Sequence, residues 1–268
     1  MDGLLRFRIA IQTIKDYFKT TMIVTFLFMG IAVMYSAMYP SFKDALVDMS
    51  DSGFIDGFSW ISGAEDMASY IGFLNIEMYQ IFWLLILAIM IGFITAAIIS
   101  KEIEGKTIDL FMSNPVSRKQ IVFERFVGLI PMFLIVNFGT MIAVMGVTSA
   151  IGEELNFSNL FLVHLVSIPY FMAIISIGLL ISVIFNEKMK ASIVMIAFLI
   201  GLYMFNSISL IAPDYESLGY ISLNHYFNPY DALKLGEVDI SGVLVLIAIT
   251  VVCLAASLIY FEHKDIRV

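Results

Sequence analysis

Few residues of this chain could do chemistry, and their spacing excludes most of it. Gly105-Lys106-Thr107 has the closing residues of a P-loop, but that loop needs a glycine five positions before Gly105, where Ser100 stands, and a buried strand ahead of it. No other stretch offers a phosphate cradle. The three histidines, His164, His225 and His263, lack metalloprotease spacing, and the single cysteine, Cys253, cannot pair within its own chain. Carboxylates crowd residues 40–78 (Asp44, Asp48, Asp51, Asp56, Glu65, Asp66, Glu77), without the alternating ligands, central glycine and terminal glutamate of a calcium loop. They read as a solvated acidic face. The chain is therefore expected not to be an enzyme by itself, and to carry no metal or cofactor of its own.

The elements that must position these residues follow from composition. Of 268 residues, 60% are hydrophobic and 14% charged, with a mean hydropathy of +0.93. An ordinary soluble domain is about 45–50% apolar and about 25% charged. Six apolar runs are each long enough to cross about 30 Å of hydrocarbon, at roughly 20–39, 79–99, 127–149, 160–185, 191–212 and 241–261. Every Asp, Glu, Lys and Arg falls outside them. One such charge at a span's centre costs about 2.5–3.5 kcal/mol on the insertion scale, so the pattern reflects selection against burial. The runs lack the alternation of a lipid-facing strand, which excludes a transmembrane barrel. The absence of in-span carboxylates argues against intramembrane hydrolysis and against proton- or sodium-driven transport. The expected fold is an all-α integral membrane protein with six transmembrane helices.

All basic residues but Lys43 and Lys234 lie in the N-terminus, the second and fourth connections and the tail, so both termini are expected to be cytoplasmic. The formal charge of −8 reflects an acidic outer face and argues against a nucleic-acid partner. In the N-terminal segment, residues 1–19, Leu4, Phe7, Ile11, Ile14 and Phe18 share one helical face, bordered by Arg8, Lys15 and Lys19. This predicts an amphipathic interfacial helix lying on the lipid bilayer. In the second connection Thr107 can cap a short helix carrying Ile108, Leu110, Phe111 and Met112, which Pro115 ends, and Ser117 can cap the helix that follows. A short helix with apolar knobs between two spans suits docking to another protein. Asn137 and Asn206, the costliest in-span groups to leave unpaired, are expected to join neighbouring helices.

The second connection also carries a resemblance. Glu102, Gly105, Thr107, Leu110, Pro115, Ser117 and Arg118 stand in the order seen in the type-2 permease family of ATP-binding-cassette transporters, with Phe111 and Met112 where leucines are usual. Asn228-Pro229-Tyr230 and the tail Phe261-Glu262-His263-Lys264-Asp265-Ile266 are similar to that family as well. The resemblance implies one permease domain over 1–268, in the plasma membrane as one half of a homodimer or a pair with a related chain. It implies two cytoplasmic ATPase subunits as partners, which bind ATP and Mg and hydrolyse the nucleotide. It implies an exporter, with Glu102, Gly105, Thr107, Pro115 and Arg118 docking the ATPase and the turn at Glu187 and Lys188 as a second contact. In that family the second and fifth spans line the dimer cleft, which places Tyr203, Asn206 and Ser207, spaced three and four apart, as a polar lip on the pathway. The abundance of methionine, 17 residues, suits an amphipathic or hydrophobic cargo such as a peptide, lipid or drug. A non-transporting scaffold or sensor subunit is the alternative.

Overall fold

The computed structural model describes residues 7–53, 57, 61–107 and 116–265. Among them there is no strand, and six helices are long and apolar enough to cross a membrane. They are α1 (Arg8–Asp51), α2 (Tyr70–Glu104), α3 (Arg118–Ile151), α4 (Phe157–Ile184), α5 (Lys188–Ile211) and α6 (Ile240–His263). Each starts before its apolar run, because hydropathy marks only the part that must be dry while the backbone ladder continues into polar sequence.

α1 departs furthest from expectation. Its 44 residues span about 66 Å at 1.5 Å per residue, roughly twice the hydrocarbon thickness. The interfacial helix expected over 1–19 is not a separate element. From Arg8 the chain runs unbroken into the first span, since no glycine or proline interrupts it before Gly30. Leu4 lies outside the described residues. The stripe of Phe7, Ile11, Ile14 and Phe18 faces outward, and the opposite side, with Ile9, Ala10 and Thr13, packs inward. At the other end the helix passes through Pro40, where a connection was expected to begin. Tyr39 and Leu46 are buried on either side of it, and Tyr39 Oη donates to Ala68 O at 2.8 Å. The connection between α1 and α2 is therefore only residues 52–69.

Small residues set the helix approaches. A Cβ on Gly128 would meet Thr13 Cβ at 2.7 Å and one on Gly139 would meet Thr25 Cγ2 at 2.7 Å, so α3 lies against α1 over three turns. Gly92 of α2 admits Leu199 of α5, and Gly178 of α4 admits Thr95 of α2. Residues Asn75–Leu87 of α2 are wound as a π-helix, with hydrogen bonds five residues apart. This winding turns Tyr79 and Trp83 into the core, where the Trp83 ring lies 5.2 Å from that of His164. Tyr79 Oη meets His164 Nε2 at 3.0 Å, and Asn137 holds the other ring nitrogen at 2.8 Å while donating to His164 O at 2.9 Å. Asn137 thus joins α3 to α4 as expected. Below, α2 breaks at Ile98–Ile99, and Ser182 Oγ of α4 accepts the freed N–H groups of Ile99 and Ser100 at 2.9 and 3.1 Å.

Candidate functional site

The starts of α1, α3 and α5 and the ends of α2, α4 and α6 meet at one end of the bundle, which carries most of the basic residues. Within it Glu102 is buried, 5% exposed, and ion-paired with Arg125 of α3, itself 2% exposed. Arg125 Nη1 also donates to Thr13 Oγ1 of α1 at 2.7 Å. Next to this pair, Glu124 Oε2 accepts the N–H groups of Ile9 and Ala10 at 2.8 and 3.2 Å, capping the free first turn of α1. Lys101 Nζ donates to Tyr17 Oη at 2.8 Å. Glu102, predicted from sequence to touch a partner, instead points inward and locks three helices together.

Gly105, Lys106 and Thr107 close α2 by a Schellman turn. Thr107 N–H donates to Glu102 O at 3.0 Å and Lys106 N–H to Ile103 O at 3.1 Å. The left-handed position of that turn falls on Lys106, φ 53°, while Gly105 stays helical. Thr107 Oγ1 turns back to Glu102 O at 3.3 Å. The short helix expected after it, and Pro115, lie outside the described residues. Ser117 caps α3 as expected, its Oγ accepting Gln120 N–H at 3.2 Å.

Arg118, half-buried, donates through Nη1 to Phe261 O and Lys264 O, filling the carbonyls that end α6. Lys119 pairs with Glu262 at 2.7 Å beside it. Lys264 in turn donates to Val183 O and Ile184 O at 2.7 and 3.1 Å, capping α4, and its partial burial lowers its pKa. Glu104 Oε2 accepts Lys188 N–H at 2.9 Å and so caps α5, while the Glu187 side chain pairs with Lys190 at 2.6 Å. The structure thus brings residues 102–107 and 116–119, the turn at Glu187 and Lys188 and residues 261–264 onto one surface. Gly105, Lys106, Thr107, Lys119, Glu187 and Lys188 face solvent there.

A cavity of about 340 Å³ lies at the opposite end, between α2, α5 and the connections that precede α2 and α6. Tyr203, Asn206 and Ser207 line it together, as their spacing predicted, facing Gln80 and Leu84 of α2. Ser207 Oγ donates to Tyr203 O at 3.0 Å within its own helix. The Asn206 amide has no hydrogen-bond partner among the described residues, so it does not join neighbouring helices. Sequence reading missed Asn224, His225 and Asn228, which close the cavity from the last outer connection. Asn228 was singled out only as part of the family motif Asn228-Pro229-Tyr230, with no place on the cavity. Ser62 Oγ donates to Asn228 Oδ1 at 3.2 Å, and Lys234 Nζ bonds Asp66 at 2.8 Å and Tyr230 Oη at 2.9 Å, clasping the two connections. Hydrogen bonds to Asp66 and Tyr230 raise the Lys234 pKa, so the clasp stays charged throughout the neutral range.

No curated protein matches the sequence. A family model described as ABC-2 family transporter protein matches residues 9–266, nearly the whole chain. With six membrane-capable helices built around that match, the chain belongs to the ABC-2 family of transporters, as a multi-pass membrane permease.

Proposed function

We propose that this permease is the membrane half of an ATP-driven exporter, paired with a second permease half and served by two cytoplasmic ATPase subunits that bind ATP and Mg. The basic end faces the cytoplasm in this reading, as the charge asymmetry favours. One observation carries it: the described ends of the 102–118 connection bond directly to α3, α5 and α6, and those partners pass the link on to α1 and α4. Glu102–Arg125 ties it to α1, Arg118 to α6 and Glu104 to α5, and Lys264 extends the chain of caps to α4. An ATPase pair that closes on nucleotide and pushes this connection would move helices as rigid bodies rather than bend a loop. Gly105, Thr107, Glu187 and Lys188 offer the exposed contact, Pro115 and its neighbours complete it, and Glu102 and Arg118 transmit the load. Tyr203, Asn206 and Ser207 form the polar lip through which an amphipathic or hydrophobic cargo leaves.

Arg118→Glu tests the docking role. Retention of the ATPase on the purified permease and substrate export are expected to fall together, because the α6 carbonyls lose their cap and the exposed surface changes sign. Full co-purification with normal export would refute it. Retention of the ATPase by the native chain with no substrate movement would make the chain a scaffold or sensor subunit instead.

A further inference from the structure

We propose that the outer cavity is a binding site for an uncharged amphipathic molecule, its hydrogen-bonding head among Gln80, Asn206 and Asn224 and its apolar body along Ile81, Leu84 and Leu210. This names the cargo chemistry of the exporter reading and rests on that reading only for the direction of movement.

Although the connections at this end are rich in Asp and Glu, no Asp, Glu, Lys or Arg is among the described residues lining the cavity. A charged head entering it would lose hydration without gaining a counter-charge. A wholly apolar occupant is disfavoured for the opposite reason, because the cavity presents amides that need partners. Neither Gln80 nor Asn206 has a side-chain hydrogen bond among the described residues. Asn224 is 8% exposed and held in place by Tyr170 Oη, which donates to its Oδ1 at 2.7 Å. That bond fixes the amide and leaves Asn224 Nδ2 as a donor with no acceptor among the described residues, on the cavity wall. The opening is two-sided: Ile81 and Leu210 are 38% and 54% exposed on the apolar helix flanks, whereas His225 and Asn228 are exposed at the polar end. An amphipath fits this gradient with its head toward the amides. At about 340 Å³ the site takes a compact molecule or one segment of a longer one.

The test is photolabelling of the full chain in nanodiscs with a diazirine-bearing monoacylglycerol, beside probes of the same chain ending in trimethylammonium or phosphate. Saturable labelling of residues 76–84 and 203–210 by the uncharged probe alone is expected. Asn206→Leu should cut that labelling about two- to tenfold, the worth of one hydrogen bond, while Asn206→Ser keeps most of it. The unfolding temperature of both variants should match the parent, since the Asn206 amide has no partner to lose. Displacement by decyl glucoside identifies a free amphipath as occupant, and displacement by diacylglycerol identifies a bilayer lipid. Equal labelling by all three heads, labelling as dense on the exposed flank of α6 at 244–252, or displacement by neither competitor would overturn the proposal. Labelling needs no ATPase. Saturable labelling in a chain that never exports keeps this site and discards the exporter reading, and export with an unlabelled cavity does the reverse.

Discussion

Arg125 and Glu102 are the residues on which the basic end depends most. Both are almost wholly buried, and removing Arg125 leaves the buried Glu102 carboxylate without its ion-pair partner. Arg125→Met is expected to destabilise the protein by about 3–5 kcal/mol, read as thermal unfolding in detergent micelles, and Glu102→Leu in the same chain should recover most of the loss. A double variant no more stable than the single one would show that the pair is not the cause. Sequence placed an acid beside Gly105 and an arginine in the next helix. It could not show that they meet, because pairing across 23 residues depends on how α2 and α3 pack. The same limit separates Asn137 from Asn206. Both are asparagines in apolar runs, but His164 stands opposite the first and an open cavity opposite the second. Tyr203, Asn206 and Ser207 were legible as a group because helix periodicity alone puts them on one stripe.

At the scale of elements, the six helices were legible wherever hydrocarbon dictates sequence and blurred wherever it does not. The dry centres of all six agree with the apolar runs, while α1 overruns its run by more than a turn at each end. The outward overrun was hidden by Pro40, which ordinarily signals a break but is held in this helix by the packing of Tyr39 and Leu46. The end of α2 shows a finer departure from the usual pattern. Gly105 stays helical and Lys106 takes the left-handed cap conformation at φ 53°. A side chain in that region costs about 1 kcal/mol relative to glycine, so Lys106→Gly should stabilise the permease by about that amount in chemical unfolding. A loss of stability would mean that the lysine makes a compensating contact with a partner.

For the whole molecule, the arrangement of ends is the property to test first. With Cys253 replaced by Ala, a cysteine at 48 should react with an impermeant maleimide added outside intact cells, and a cysteine at 119 only after the membrane is opened. Both positions are exposed in the structure, so a silent site reflects sidedness rather than burial. The reverse pattern would invert the topology and move the proposed docking surface to the wrong side for a cytoplasmic ATPase. Sequence carried this property through the distribution of lysine and arginine. Of the cavity it carried only the stripe of Tyr203, Asn206 and Ser207, because the rest of the lining comes from α2 and two connections far apart along the chain.

The unbroken α1 makes the molecule something like an oar. A rod about 66 Å long, tilting by about 5° on a pivot at its middle, carries each tip about 3 Å in opposite directions. The first-turn tip is gripped by Glu124 and Arg125 of α3, and the other half touches, through Tyr39, the segment that bears Asp66. Work done on one face of the membrane would then arrive at the Asp66–Lys234 clasp over the cavity as a stroke, without repacking the core between. Spin labels at 16 and 48, each paired with a reference label on α4, should report displacements of opposite sign when the ATPase binds nucleotide. Displacements of the same sign would mean that α1 slides as a piston.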